Sequence, residues 1–149
     1  MASLPSRALP PLVSVLPAAR QVFRSEHFTV LVDDRLGIAV TVRSEAPFSH
    51  LAQLDDIFDE LGDVLDELGR SRYALLADMR AIAGRNDAEF DEAIKRQLPR
   101  WLGGFRKVGV LVRSVAGIMQ IQRHAKQDGI ERMATTDEGE LLKHLAQEG

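Results

Sequence analysis

The sequence predicts an α/β fold: a single domain with a mainly parallel sheet, opened by an antiparallel hairpin, with helices on the sheet faces. Three observations predict it. Two β-branched runs, 28–33 and 38–42, are separated only by the turn chemistry of Asp33-Asp34-Arg35-Leu36-Gly37. Two nearly continuous apolar runs, 73–77 and 108–112, read as strands buried on both faces. Amphipathic helical stretches stand between and after those runs, and strands alternating with helices imply crossover connections.

The segment before the hairpin stands apart. Four of the six prolines, Pro5, Pro10, Pro11 and Pro17, fall within the first twenty residues, where they withhold donors from helix and sheet. We therefore divide the chain into a proline-rich extension, 1–21, and a domain, 22–149. Arg7 ahead of an apolar stretch and Ala18-Ala19 suggest a secretory signal, but the prolines make a poor signal helix. The expectation is a tail that is flexible, docked, or added as a strand to a sheet edge.

In the hairpin, Phe28, Val30 and Val32 alternate with Thr29, Leu31 and Asp33. The next element is a helix, with Leu51, Leu54, Phe58, Leu61, Leu65 and Leu68 at spacings of three and four. Ser49 is its expected N-cap and Gly69 its stop; Gly62 weakens its middle by about 1 kcal/mol relative to alanine, so core contact must hold it. After the strand 73–77, Gly84-Arg85-Asn86-Asp87 forms a turn, and Asp87 caps a helix carrying Phe90, Ile94, Leu98 and Trp101. Pro99 is expected to break or kink that helix and to leave Trp101 partly exposed. Beyond the strand 108–112, Ser114 caps a helix to about Lys126 with Val115, Ile118, Met119 and Ala125 inward and Gly129 as its stop. An edge strand at Arg132-Met133-Ala134 follows. Thr135 and Glu138 then have capping-box spacing ahead of Leu141, Leu142 and Leu145.

The opening hairpin, the Leu-rich first helix, the strand ending Leu76-Ala77-Asp78-Met79-Arg80, and the closing Thr135-Thr136-Asp137-Glu138 before Leu141-Leu142 carry a likeness. Over residues 28–147 this succession resembles the SpoIIAA-like STAS domains, anti-sigma-factor antagonists and relatives that share a fold outline with CRAL-TRIO lipid carriers. The resemblance implies a binding module and not an enzyme. In the sporulation antagonists the loop after this strand carries an Asp-Ser pair whose serine a partner kinase phosphorylates. The matching stretch here is Asn86-Asp87, and no serine or threonine lies between Ser71 and Ser114, so the usual phosphoserine switch is missing. Asp87 either stands in for the phosphorylated residue or caps a helix.

Parallel strands present their carboxyl ends to one rim, where ligands commonly bind. The candidate partner- or anion-binding residues are therefore Asp78, Arg80, Arg85, Asn86, Asp87, Arg113 and Ser114. Arginine forks and the free amides of helix N-termini favour anions, either an acidic partner surface or a phosphorylated ligand. The competing reading is purely architectural: Asp78 pairs with Arg80, and Asp87 only caps.

Charge is segregated. Asp55, Asp56, Asp59, Glu60, Asp63, Asp66 and Glu67 crowd the first helix with no basic residue, whereas from Ala93 to Gln127 there are eight basic residues and no acid. This steers a partner or another copy, or it reflects two solvated faces that attract each other within the fold. Phe90, Ile94, Leu98, Trp101 and Phe105 interleave with Lys95, Arg96, Arg100, Arg106 and Lys107; core is the preferred explanation over a membrane or lipid surface.

Composition narrows the functional classes. Without cysteine there is no disulfide framework, thiolate nucleophile or zinc–thiolate site, and a cytoplasmic location is expected. A net charge of −3 offers nucleic acid no global attraction, and the basic stretch has too few aromatics for a stacking platform. There is no HExxH, GxSxG, P-loop or GxGxxG motif, and His124 with Asp128 supplies only two ligands. Neither cofactor nor metal is expected. The reading is a non-catalytic protein-binding module of a bacterial-type regulatory or assembly complex, acting through the loops after the two buried strands, with homodimerisation open. The alternative is a carrier of lipid or of a small anionic metabolite, using the same rim or a gap beneath the Trp101 helix.

Overall fold

The computed structural model describes residues 16, 18–82 and 88–146. Six strands form one sheet in chain order: β1 (Arg20–Arg24), β2 (Phe28–Asp33), β3 (Ile38–Arg43), β4 (Ala74–Asp78), β5 (Lys107–Leu111) and β6 (Met133–Thr135). The pairs β1–β2 and β2–β3 are antiparallel, and β3–β4, β4–β5 and β5–β6 are parallel. The helices are α1 (Leu51–Leu68), α2 (Ala88–Leu102), α3 (Val115–Asp128) and α4 (Glu138–Ala146), with a 3-10 turn at Arg70–Arg72. The architecture is α/β, mainly parallel, opened by an antiparallel hairpin.

Side-chain alternation along the strands sorts two cores. Phe28, Val30, Val32, Ala39, Leu75, Ala77, Val108 and Val110 face one side and meet α1, α2 and α3 through Leu54, Phe58, Leu61, Leu65, Leu98, Trp101 and Ile121. Successive crossovers of one hand across a sheet in chain order put their helices on one face. The other face carries Leu31, Ile38, Val40, Leu76 and Leu111, and is covered by Leu141 and Leu145 of α4 together with Leu16. Gly109 lets α4 approach, because a Cβ there would stand 2.3 Å from Leu141 Cδ1.

The strand β1 is an element the sequence reading did not place. It starts at Arg20, across the division drawn between 21 and 22, and pairs with β2 through a bulge between Gln21 and Phe23. Five residues with polar ends and only Val22 and Phe23 against the core carry too little periodicity to be read as a strand. At the far edge, β6 is displaced by one residue from 132–134, and Arg132 instead pairs with Asp128.

Three capping expectations meet the structure differently. Ser114 caps α3 by accepting from Gly117 N, and Gly69 and Gly129 end α1 and α3 at φ of 84° and 75°. For α1 the cap is His50, whose Nδ1 accepts from Gln53 N, while Ser49 N donates to Gln53 Oε1. For α4 the cap is Asp137, which accepts from Glu140 N; Thr135 Oγ1 is one step too early and accepts from Asp137 N.

Pro99 does not break α2, which continues to Leu102. Arg70 holds the last turn from outside, donating to the carbonyls of Arg100 (2.7 Å), Trp101 (3.2 Å) and Gly103 (2.7 Å). Trp101 is accordingly buried, 2% exposed, against the expectation of partial exposure. The orientation of α3 is also corrected. Ile121 is buried and Ile118 half-buried, but Val115 and Met119 are 69% and 61% exposed. α3 meets the core through Ile118 and Ile121.

The segregated charges meet inside the fold. Arg100 of α2 donates to Asp63 (2.7 Å) and Asp66 (2.8 Å) of α1, and Gln97 donates to Asp55 (2.9 Å). Gly62 is what permits this: a Cβ there would sit 2.4 Å from the Arg100 guanidinium carbon. The aromatic stripe on α2 covers the sheet, as the core reading expects. No helix among the described residues is long and apolar enough to cross a membrane.

Candidate functional site

The parallel register Leu75↔Val108, Ala77↔Val110 and Asp78↔Leu111 brings the loops after β4 and β5 out on one rim. Met79 N donates to Leu111 O (2.9 Å), and the Arg113 guanidinium donates to Ile82 O (3.1 Å), so the two exits are tied together. Asp78, Arg80, Arg113 and Ser114 therefore share this rim. Arg85, Asn86 and Asp87, with the cap expected of Asp87, lie outside the described residues.

Arg80 is occupied. Its Nε and Nη2 grip the two oxygens of buried Asp78 at 3.0 and 2.8 Å, and Nη1 reaches Glu138 at 3.4 Å. The hydrogen bond to Asp78 raises the Arg80 pKa above its ordinary value. This fork fastens the end of β4 to the first turn of α4, which is the architectural reading of the pair. The Ser114 hydroxyl is likewise engaged as a cap. Arg113 stays exposed, with the Ile82 carbonyl as its hydrogen-bond partner.

Beside this rim, under the loop 44–48, lies a cavity of about 220 Å³. Phe28, Phe48, Phe58, Met79, Ile94 and Trp101 make it apolar, and Arg43 enters it from the end of β3. Arg43 is 6% exposed. Its Nη1 donates to Ser44 O (2.5 Å) and Ser44 Oγ (3.4 Å), and its guanidinium lies 4.5 Å from the centre of the Phe48 ring and 5.8 Å from that of Phe28. No carboxylate pairs with it among the described residues. Burial pushes its pKa down to about 10, which still leaves it cationic at neutral pH.

The loop over the cavity is held by buried His27. Its ring stacks on Phe48 at 5.1 Å and 9°, and Nε2 sits 3.0 Å from Pro47 O. Ser44 Oγ adds a bond to Glu26 O (2.6 Å). Sequence reading missed Arg43, yet a signal was present. Alternation puts Arg43 on the face of Ala39, directly across from Phe28, and a charged residue on a covered face is unusual.

Comparison with known proteins assigns nothing: no family model, no curated protein and no solved structure matches the chain. Its chemistry has to be read from its own side chains. Among the described residues, no group of three or more His, Asp and Glu side chains is placed to hold a metal.

Proposed function

We propose that the chain is a non-catalytic binding module of a regulatory or assembly complex, and that it meets an acidic protein surface at the start of α3. One observation supports this above the rest. Among the described residues, the exposed large apolar side chains are Leu36, Val115 and Met119, and the last two sit one helical turn apart on one face. Exposed Arg113, Arg123 and Lys126 surround them, outside every ion pair among the described residues. Apolar anchors, methionine and arginine are what protein interfaces concentrate, and unpaired cations favour an acidic counterpart. The resemblance to STAS domains agrees with this role. A cytoplasmic setting belongs to the same proposal.

Affinity capture from native lysate with the tagged full chain tests it. A co-purifying protein should be lost from the Val115→Asp/Met119→Asp variant, retained by Leu36→Asp, and weakened by added salt. Capture of no protein, or of the same proteins by both variants, overturns the reading.

A further inference from the structure

Arg43 is a largely buried cation that no carboxylate among the described residues meets. A buried guanidinium is costly unless something pairs with it, and stacking on Phe48 compensates only in part. Its Nε and Nη2 make no hydrogen bond among the described residues and are not sealed from solvent, so a ligand can reach them, while the neighbouring wall is mainly apolar. We propose that this cavity binds a small monocarboxylate with an apolar ring or short chain, the carboxylate taken by the free edge of Arg43 and the body by Phe28, Phe58, Ile94 and Trp101.

Size, charge and position each restrict the ligand. An apolar cavity of about 150 Å³ holds benzene, so the 220 Å³ here accommodates one ring with a short acid arm. Glu45 lines the cavity from its exposed loop and is not paired with Arg43, so a second negative charge on the ligand would meet repulsion. The cavity lies at the carboxyl ends of β3 and β4, where sheets of this kind commonly take ligands. The cavity lining shares no residue with the α3 surface, and either can fail without the other.

Isothermal titration calorimetry on the full chain with 3-phenylpropionate and its neutral isostere 3-phenylpropanamide tests the proposal. The acid should bind saturably, roughly tenfold or more tightly than the amide, because a charge-assisted fork is available only to the acid. Arg43→Met keeps an apolar stem against Phe48 and should bring the acid down to the level of the amide. Ile94→Trp fills the cavity while leaving Arg43 unsubstituted and should abolish binding of both, which keeps the test decisive if Arg43→Met does not fold. Equal affinity for acid and amide, no saturable binding of the acid, or unchanged acid binding by a folded variant overturns the site and leaves Arg43 as a cation–π strut.

Discussion

The indole N–H of Trp101 donates to the hydroxyl of Thr41 at 3.1 Å, a buried bond joining α2 to the face of β3. Thr41→Val keeps the shape and removes the acceptor, leaving a dry donor behind. The expected cost is about 1–3 kcal/mol, read as a lower urea midpoint with an unchanged slope. Trp101 is the single tryptophan, so its fluorescence reports on this bond directly. A midpoint equal to wild type would mean the indole has another acceptor.

Hydrogen bonds from Arg100, and then from Arg70, hold the carboxyl of Asp66 below its ordinary value of 3.8. As pH falls the unfolded chain therefore takes the proton first. The stability Asp66 contributes is full above 3.8 and is lost as pH drops through the lower folded value. Asp66→Asn should lower Tm at neutral pH, with the gap to wild type closing below that value. The side chain is half exposed, so the gap is small and shrinks further with salt. Parallel Tm–pH curves refute this linkage.

Alanine in place of a mid-helix glycine ordinarily gains about 1 kcal/mol. At Gly62 the added methyl would displace the Arg100 guanidinium from Asp63 and Asp66. Gly62→Ala should therefore give little or no gain in the wild type, but close to the full gain in an Arg100→Ala background. A double-mutant cycle by urea unfolding checks the difference.

Gly109→Ala drives a Cβ into Leu141, and overpacking of this kind costs about 1–3 kcal/mol. Leu141→Ala alone opens a hole beside a fully buried position and costs about 2–5 kcal/mol. Together the two changes should cost clearly less than their sum, since the new methyl partly fills the hole. Strict additivity would show that α4 does not rest on β5 at this point.

Much of the architecture was legible because strong periodicity marked it. The leucines of α1, the runs 73–77 and 108–112, which fall one residue from the strands Ala74–Asp78 and Lys107–Leu111, and the glycine stops at Gly69 and Gly129 all read directly from residue type. What escaped depended on partners distant in sequence. Trp101 is buried because Thr41 satisfies it sixty positions away, and α2 outlasts Pro99 because Arg70 holds its final carbonyls. Val115 and Met119 fit an inward stripe on α3 as well as an outward one until the sheet strip beneath is known. At the site, the bond between Asp78 and Arg80 was one of two readings offered by proximity in sequence. Arg43 went unread because the second β-branched run ends at Val42, one residue short of the strand's true end.

The outermost strands bear on how copies of the chain can meet. At one border, Arg20 and Arg24 flank a stretch whose register slips between Gln21 and Phe23; at the other, β6 spans only three residues. Charged ends, an irregular ladder and a very short border all discourage continuation of a sheet into a neighbouring molecule. Self-association through these two borders is disfavoured relative to side-chain surfaces, and neither border offers much template for fibrillar growth.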